Sequence, residues 1–300
     1  MNNSSLWRGL PPLVLITICL AVGAAPSMVG LVLRAQVPAA VNFDIRAAKG
    51  LALSPIYEGW YKLDGTTYAL FGYYNRNLEE VVDIPIGPNN RMEPGPIDQA
   101  QPTHFVPGQH YGVFAVPVPK DRPGTEVSWT LTANGQTLSI PANLDQLYFV
   151  SPQRDDGGPY PGNTPPLMKF DPSGPSARGP LGMTVSRTAT VSSPLTVDVW
   201  VADDDLRPGA RAGDGAVRVP PPSRPRQLVL TWRMYRGPRN VSFSNPAPPL
   251  EQGRARTTVT FSEVGDYVLH ILAFESRSGT KCCWTNGYVK VAVQAGAHSQ

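Results

Sequence analysis

Residues 127–140 read VSWTLTANGQTLSI. Apolar, aromatic and β-branched residues flank Asn134-Gly135, the strongest short hairpin signal available, because a tight two-residue turn needs positive φ at both positions. Residues 56–75, IYEGWYKLDGTTYALFGYYN, repeat the arrangement around Asp64-Gly65. Alternation places Tyr68, Leu70, Gly72 and Tyr74 on one face of the second run and Ala69, Phe71 and Tyr73 on the other. Both faces are apolar, so this strand is either covered on both sides or offers one face to a ligand. The 33 prolines and 28 glycines among 300 residues cluster between such runs and show no G-X-Y period. That excludes collagen, nearly excludes long amphipathic helices, and leaves many short strands joined by turns.

Further strand-like runs are Val81–Ile84, Tyr111–Val118, Thr184–Val191, Leu195–Ala202, Leu228–Met234, Asn240–Phe243, Arg256–Phe261, Asp266–Phe274 and Gly287–Val293. A turn-rich excursion, 86–105, interrupts the first group. The chain length suits roughly two domains. The reading is therefore all-β, with two β-sandwich domains at 51–150 and 183–295. Residues 26–50 form an irregular lead-in. Residues 151–182, with Asp155-Asp156-Gly157-Gly158 and Pro165-Pro166 and little to bury, are expected as a linker or extended strap.

The N-terminus carries Arg8, an apolar run from Leu13 to Ala25 and a small-residue exit, the pattern of a signal peptide ending at residue 25. Leu13–Leu33 is also long enough for a retained membrane anchor. Either way the chain is expected to be exported, to the periplasm or outside the cell, with membrane contact only through an uncleaved leader. A net charge of +3 makes nucleic acid a poor partner.

With Cys19 in the leader, only Cys282 and Cys283 remain, adjacent, in a compartment where thiols oxidise. Three states are open: a vicinal disulfide, two free thiols, or intermolecular pairing. A bridge between neighbours closes a strained eight-membered ring and has to sit at a turn, since successive strand side chains point to opposite faces.

The residues Leu230-Thr231-Trp232, Gly237-Pro238, Val241-Ser242-Phe243-Ser244, Thr257–Ser262 and Gly265-x-Tyr267-x-Leu269 resemble bacterial domains of the PKD and Ig-like type. The resemblance implies a core Trp232 on a central strand, a tyrosine-corner role for Tyr267, and Leu269, Ile271 and Ala273 facing the core. After residue 50 the chain is also similar to a set of exported bacterial proteins of unassigned function, through Tyr57–Tyr61, Phe71–Asn77, Ala100–Gly108 (Ala100 where Gly is usual), Trp129–Ala142 and Cys282–Val291. That likeness implies no activity.

No nucleophile motif, zinc motif or phosphate loop is present, so no catalytic residue, metal or cofactor is assigned. His104 and His110 share a loop, but spacing identifies no third metal ligand. Asp203-Asp204-Asp205 could offer oxygens to Ca²⁺ or form a solvated turn. Five arginines at 207–226 point to an anionic partner or a soluble loop. Tyr57, Trp60, Tyr61, Tyr68, Tyr73 and Tyr74 could stack on sugars or pack between sheets. The candidate binding residues are Cys282, Cys283, Trp284, Trp60, Asn75, Arg76 and His104. The expected function is a non-catalytic envelope protein that binds a protein or glycan. The alternatives are a hydrolase with His104 and carboxylates in an inter-domain cleft, and a structural assembly subunit with an exposed apolar patch.

Overall fold

The computed structural model describes residues 47–119, 127–154, 162–203, 228–275 and 282–296, within one compact unit. The leader or anchor, the arginine-rich segment and the last four residues lie outside the described residues, as do Asp204 and Asp205. No helix among the described residues is long and apolar enough to cross a membrane.

The first sandwich contains β1 (Leu53–Leu63), β2 (Thr66–Asn75), β3 (Val82–Asp83), β4 (Asn90–Glu93), β5 (His104–Phe105), β6 (Gly108–Pro117), β7 (Ser128–Ala133) and β8 (Gln136–Pro141). One antiparallel sheet runs β1-β2-β6, a second β4-β7-β8, and β3 pairs with β5. Both two-residue turns have the backbone their sequence asks for: Asp64 and Gly65 at φ 48° and 75°, Asn134 and Gly135 at 49° and 75°. Phe71, Phe105, Phe114 and Trp129 form the aromatic centre, with Phe114 edge-on to Trp129 at 5.0 Å. The Trp129 indole N–H, buried with its ring, donates to Asn90 Oδ1 at 3.1 Å. Tyr61 and Tyr73 are each 1 % exposed, and Tyr57 donates to the Asn143 carbonyl, so these tyrosines pack rather than forming a sugar platform.

The second sandwich contains β9 (Leu167–Lys169), β10 (Met183–Thr190), β11 (Leu195–Ala202), β12 (Leu228–Arg236), β13 (Val241–Phe243), β14 (Arg254–Phe261), β15 (Gly265–Glu275) and β16 (Trp284–Gln294). Its sheets run β9-β11-β14-β13 and β10-β16-β15-β12, with β10 parallel to β16. This is the immunoglobulin order, A-B-E-D against C-F-G, with an added A′ strand beside G. Neither β11 nor β15 contains cysteine, so packing replaces the inter-sheet disulfide of antibody domains. Trp232 on strand C is 2 % exposed and lies between Phe170 and Phe243, at 6.3 and 6.4 Å. Tyr267 on strand F donates its hydroxyl to the Glu263 carbonyl at 3.0 Å, a tyrosine corner. Leu269, Ile271 and Ala273 are buried beneath it.

The stretch expected as a linker does more than connect. Its β9 is strand A of the A-B-E-D sheet, paired with β11, and Met168 and Phe170 are buried in the second core. Trp232→Ala should lower unfolding free energy by about 3–5 kcal/mol, as for buried aromatics. Chemical denaturation checks this, and an unchanged midpoint would remove Trp232 from the core.

Candidate functional site

Two places gather chemistry: the seam between the sandwiches, and the outer face of the A-B-E-D sheet.

The seam lies on the outer face of the C-F-G sheet. The β12–β15–β16 register aligns Arg233, His270 and Tyr288 in one cross-strand row. Opposite them, the β1-β2-β6 sheet carries a bulge at Glu58 of β1, and β6 bulges where three residues, Tyr111 to Val113, stand opposite Gly72. Gly112 of β6, at φ 58°, donates its N–H to both Glu58 carboxylate oxygens at 2.9 Å. Its carbonyl accepts from Asn286 Nδ2 at 2.8 Å and from the Trp284 indole at 3.2 Å. A Cβ at Gly112 would fall inside that indole, so only glycine fits on both backbone and packing grounds. Tyr288 donates to the Val113 carbonyl, and Tyr235 to that of Ala100. Ala100 sits at φ 72°, the left-handed region that explains why glycine suits this position.

Arg233 donates to His110 Nδ1, and His110 Nε2 donates to the Pro107 carbonyl, so this ring is neutral. Burial, reinforced by the Arg233 charge, pushes His110 down to about 4. His270, fully buried and donating through Nε2 to Asn286 Oδ1, is held well below the usual range, first by burial and then by Arg233. Burial raises Tyr73, Tyr235 and Tyr288.

The residues singled out from sequence occupy structural places. Cys282 and Cys283 are disulfide-bonded at 3 % and 1 % exposure, just ahead of β16. Their sulfurs rest 3.6 and 3.5 Å from the carbonyl oxygens of Pro152 and Asn163. These are contacts rather than hydrogen bonds, because bridged sulfurs carry no proton. The bridge is an internal clip and not an exposed sulfur surface. Trp284 packs on Tyr61, Leu70 and Val150. Trp60, 9 % exposed, donates to the Asp145 carbonyl at 2.8 Å. Asn75, 1 % exposed, donates to the Glu80 and Phe105 carbonyls, and Arg76 lies over the Tyr74 ring at 5.5 Å. His104 is buried, with Nδ1 2.7 Å from Asp83 Oδ1 on the neighbouring strand. These residues do not converge on one pocket. Among the described residues, no group of three His, Cys, Asp or Glu could hold a metal ion.

The outer face of the A-B-E-D sheet is different. Val197, Val199 and Val201 of β11 face the core, so Asp198 and Trp200 face out. Cross-strand pairing sets Trp200 beside Arg254 on one side and Lys169 on the other, and Asp198 beside Arg256. Arg254 donates to Asp198 through Nε and Nη2 at 3.0 and 2.7 Å, and Arg256 does the same at 2.8 and 3.2 Å. Hydrogen bonds from Arg256, then Arg254, hold Asp198 down to about 2 against the opposing effect of burial. The Arg254 guanidinium lies 5.2 Å from the Trp200 ring centre. Trp200, Pro249, Glu251, Gln252, Arg254 and Arg256 line an open groove of about 710 Å³. The sequence reading missed it, although alternation in LTVDVWVA and RARTTVTF places a tryptophan beside charges on a solvent face.

No protein-family model and no curated protein matches the chain. Among solved structures it is similar to a nucleoside hydrolase-related hypothetical protein from Saccharophagus degradans associated with carbohydrate metabolism: 18% identity, 44% of this chain, 26% of that one, TM-score 0.29. It is also similar to the PKD domain of the KIAA 1837 protein, at 17% identity, 38% and 85% coverage and TM-score 0.22. For the D00-D0 domain of intimin the values are 11%, 80% and 100%, with TM-score 0.25. The chain thus spans about a quarter of the first of these proteins. The immunoglobulin-type architecture is defined by the strand order itself.

Two outcomes follow for the seam. Gly112→Ala should cost about 1–3 kcal/mol through overpacking against Trp284, read by urea unfolding; equal stability would show that the indole is not seated there. The unfolded chain takes up protons on His110 and His270 below about pH 6.5, while the folded chain refuses them on His110 until about pH 4. Stability should therefore fall as pH drops from about 6.5 to 4, by up to about 1.4 kcal/mol per pH unit for each histidine. Denaturation at several pH values, with His110→Gln flattening the slope, checks the assignment.

Proposed function

We propose that the protein is an exported, non-catalytic binding module of the cell envelope, in the periplasm or outside the cell, whose partner is a glycan held in the Trp200 groove. The observation that carries this reading is an outward-facing indole in an open groove, beside two guanidinium groups fixed by one carboxylate. Sugar rings present flat apolar C–H faces suited to indole, and their hydroxyls suit fixed charged donors. The arginines are already positioned by Asp198, so little conformational freedom is lost on binding.

A protein partner has its own supporting feature. Leu144, Leu147, Tyr148 and Phe149 lie exposed around the short 3-10 turn Gln146–Tyr148, with Leu147 at 88 %. Apolar residues gathered on a surface in this way suit protein contact.

A glycan array probed with the purified chain should give a defined set of binders, and Trp200→Ala should weaken them by about tenfold or more, as for an aromatic hot spot. Full binding by a correctly folded Trp200→Ala variant would remove the groove from the account. Loss of binding in Leu147→Ser alone would move the site to the apolar turn.

A further inference from the structure

We propose that the groove selects carboxylated sugar chains, of the uronic acid type, over neutral ones; this rests on the glycan reading above.

The argument is a count of donors and acceptors. A carboxylate offers about four lone-pair positions. The four N–H groups from Arg254 and Arg256 fill those of Asp198. Asp198 therefore has nothing left to accept from a ligand; its role is to aim the two guanidinium groups. Each guanidinium carries about five donors, and each uses only its Nε and Nη2 edge on Asp198. Among the described residues, the Nη1 groups of both arginines remain for the groove. These side chains are 41% and 57% exposed, open to a ligand but anchored at one edge. One carboxylate between two guanidinium groups leaves one positive charge uncompensated.

Lys169 adjoins Trp200 across the β9–β11 pair and adds a second cation on this face. Glu251, exposed on the turn leading into β14, opposes both from the groove wall. The excess on this face is thus positive, and the hydrogen-bonding capacity nearest the indole is donor-rich.

The complementary ligand has a flat apolar face for Trp200 and a carboxylate within reach of a guanidinium edge. A hexuronate ring carries both on one residue. A bidentate guanidinium–carboxylate pair would then form beside the stacked ring, the geometry in which arginine differs most from lysine. An acidic peptide offers the carboxylate without the flat ring, and a neutral glycan the ring without the charge.

The test titrates the full chain with polygalacturonate, its fully methyl-esterified form, and poly-glutamate, by calorimetry at low and physiological salt. The expected result is binding of polygalacturonate that weakens with salt, at least about tenfold weaker binding of the ester, and no binding of poly-glutamate. Arg256→Gln should weaken polygalacturonate binding by about tenfold, and Glu251→Gln should strengthen it. A thermal midpoint within the wild-type range confirms that each variant is folded. Equal binding of acid and ester would overturn charge selection and leave the glycan reading standing. Binding of neither overturns the uronic acid preference, and the glycan array decides the broader glycan reading separately. Poly-glutamate binding as tightly as polygalacturonate would overturn the sugar component and make the groove a site for acidic protein.

Discussion

The hydrogen-bonded backbone of Gly112 joins the two sandwiches. Its N–H is fixed by the Glu58 carboxylate within the first sandwich, and its carbonyl is shared by Asn286 and Trp284 of the second. Each buried backbone N–H and C=O has to find a partner, and the partners of these two groups lie on opposite sides of the seam. The bulges in β1 and β6 let Glu58 reach across Gly72 to the Gly112 N–H. Asn286 also donates to the Pro180 carbonyl and accepts from His270, so one side chain ties the seam, the lead into β10 and the centre of strand F together.

Much of the fold was legible in the sequence because it rests on periodicity and turn chemistry. The two hairpins follow from Asp64-Gly65 and Asn134-Gly135, and the second sandwich from alternating apolar runs around Trp232 and Tyr267. What escaped has polar reasons. β4, Asn-Arg-Met-Glu, has one apolar residue, and Asn90 stands in for packing by donating to the Ile84 and Pro102 carbonyls while accepting from Trp129. β9 is three residues in a proline-rich stretch, visible only once Met168 and Phe170 are seen beneath β11. The candidate site was less legible. Cysteines, histidine and tryptophan stand out in the sequence as reactive or flat groups, yet the cysteines close on each other, His104 pairs with the Asp83 carboxylate, and Trp60 donates to the Asp145 carbonyl. Trp200 was plain in the alternation of β11, but its meaning came from Arg254 and Arg256, more than fifty positions away in the chain.

Seam and groove use their charges in opposite ways. At the seam, Arg233 is placed against neutral imidazoles and phenols, and burial keeps those groups from ionising. In the groove, charge is kept and exposed, and Asp198 spends its full acceptor capacity holding two guanidinium groups in place. The first arrangement suits a permanent interior contact, and the second leaves guanidinium donors exposed on the surface.

The immunoglobulin-type unit presents these two arrangements on opposite sides, with the Trp232 core between them. One side is occupied by its neighbour sandwich, and on the other, among the described residues, Trp200 and its two arginines face outward. The same two-sheet core therefore serves as a spacer that keeps the neutral, buried chemistry of one face apart from the charged chemistry of the other.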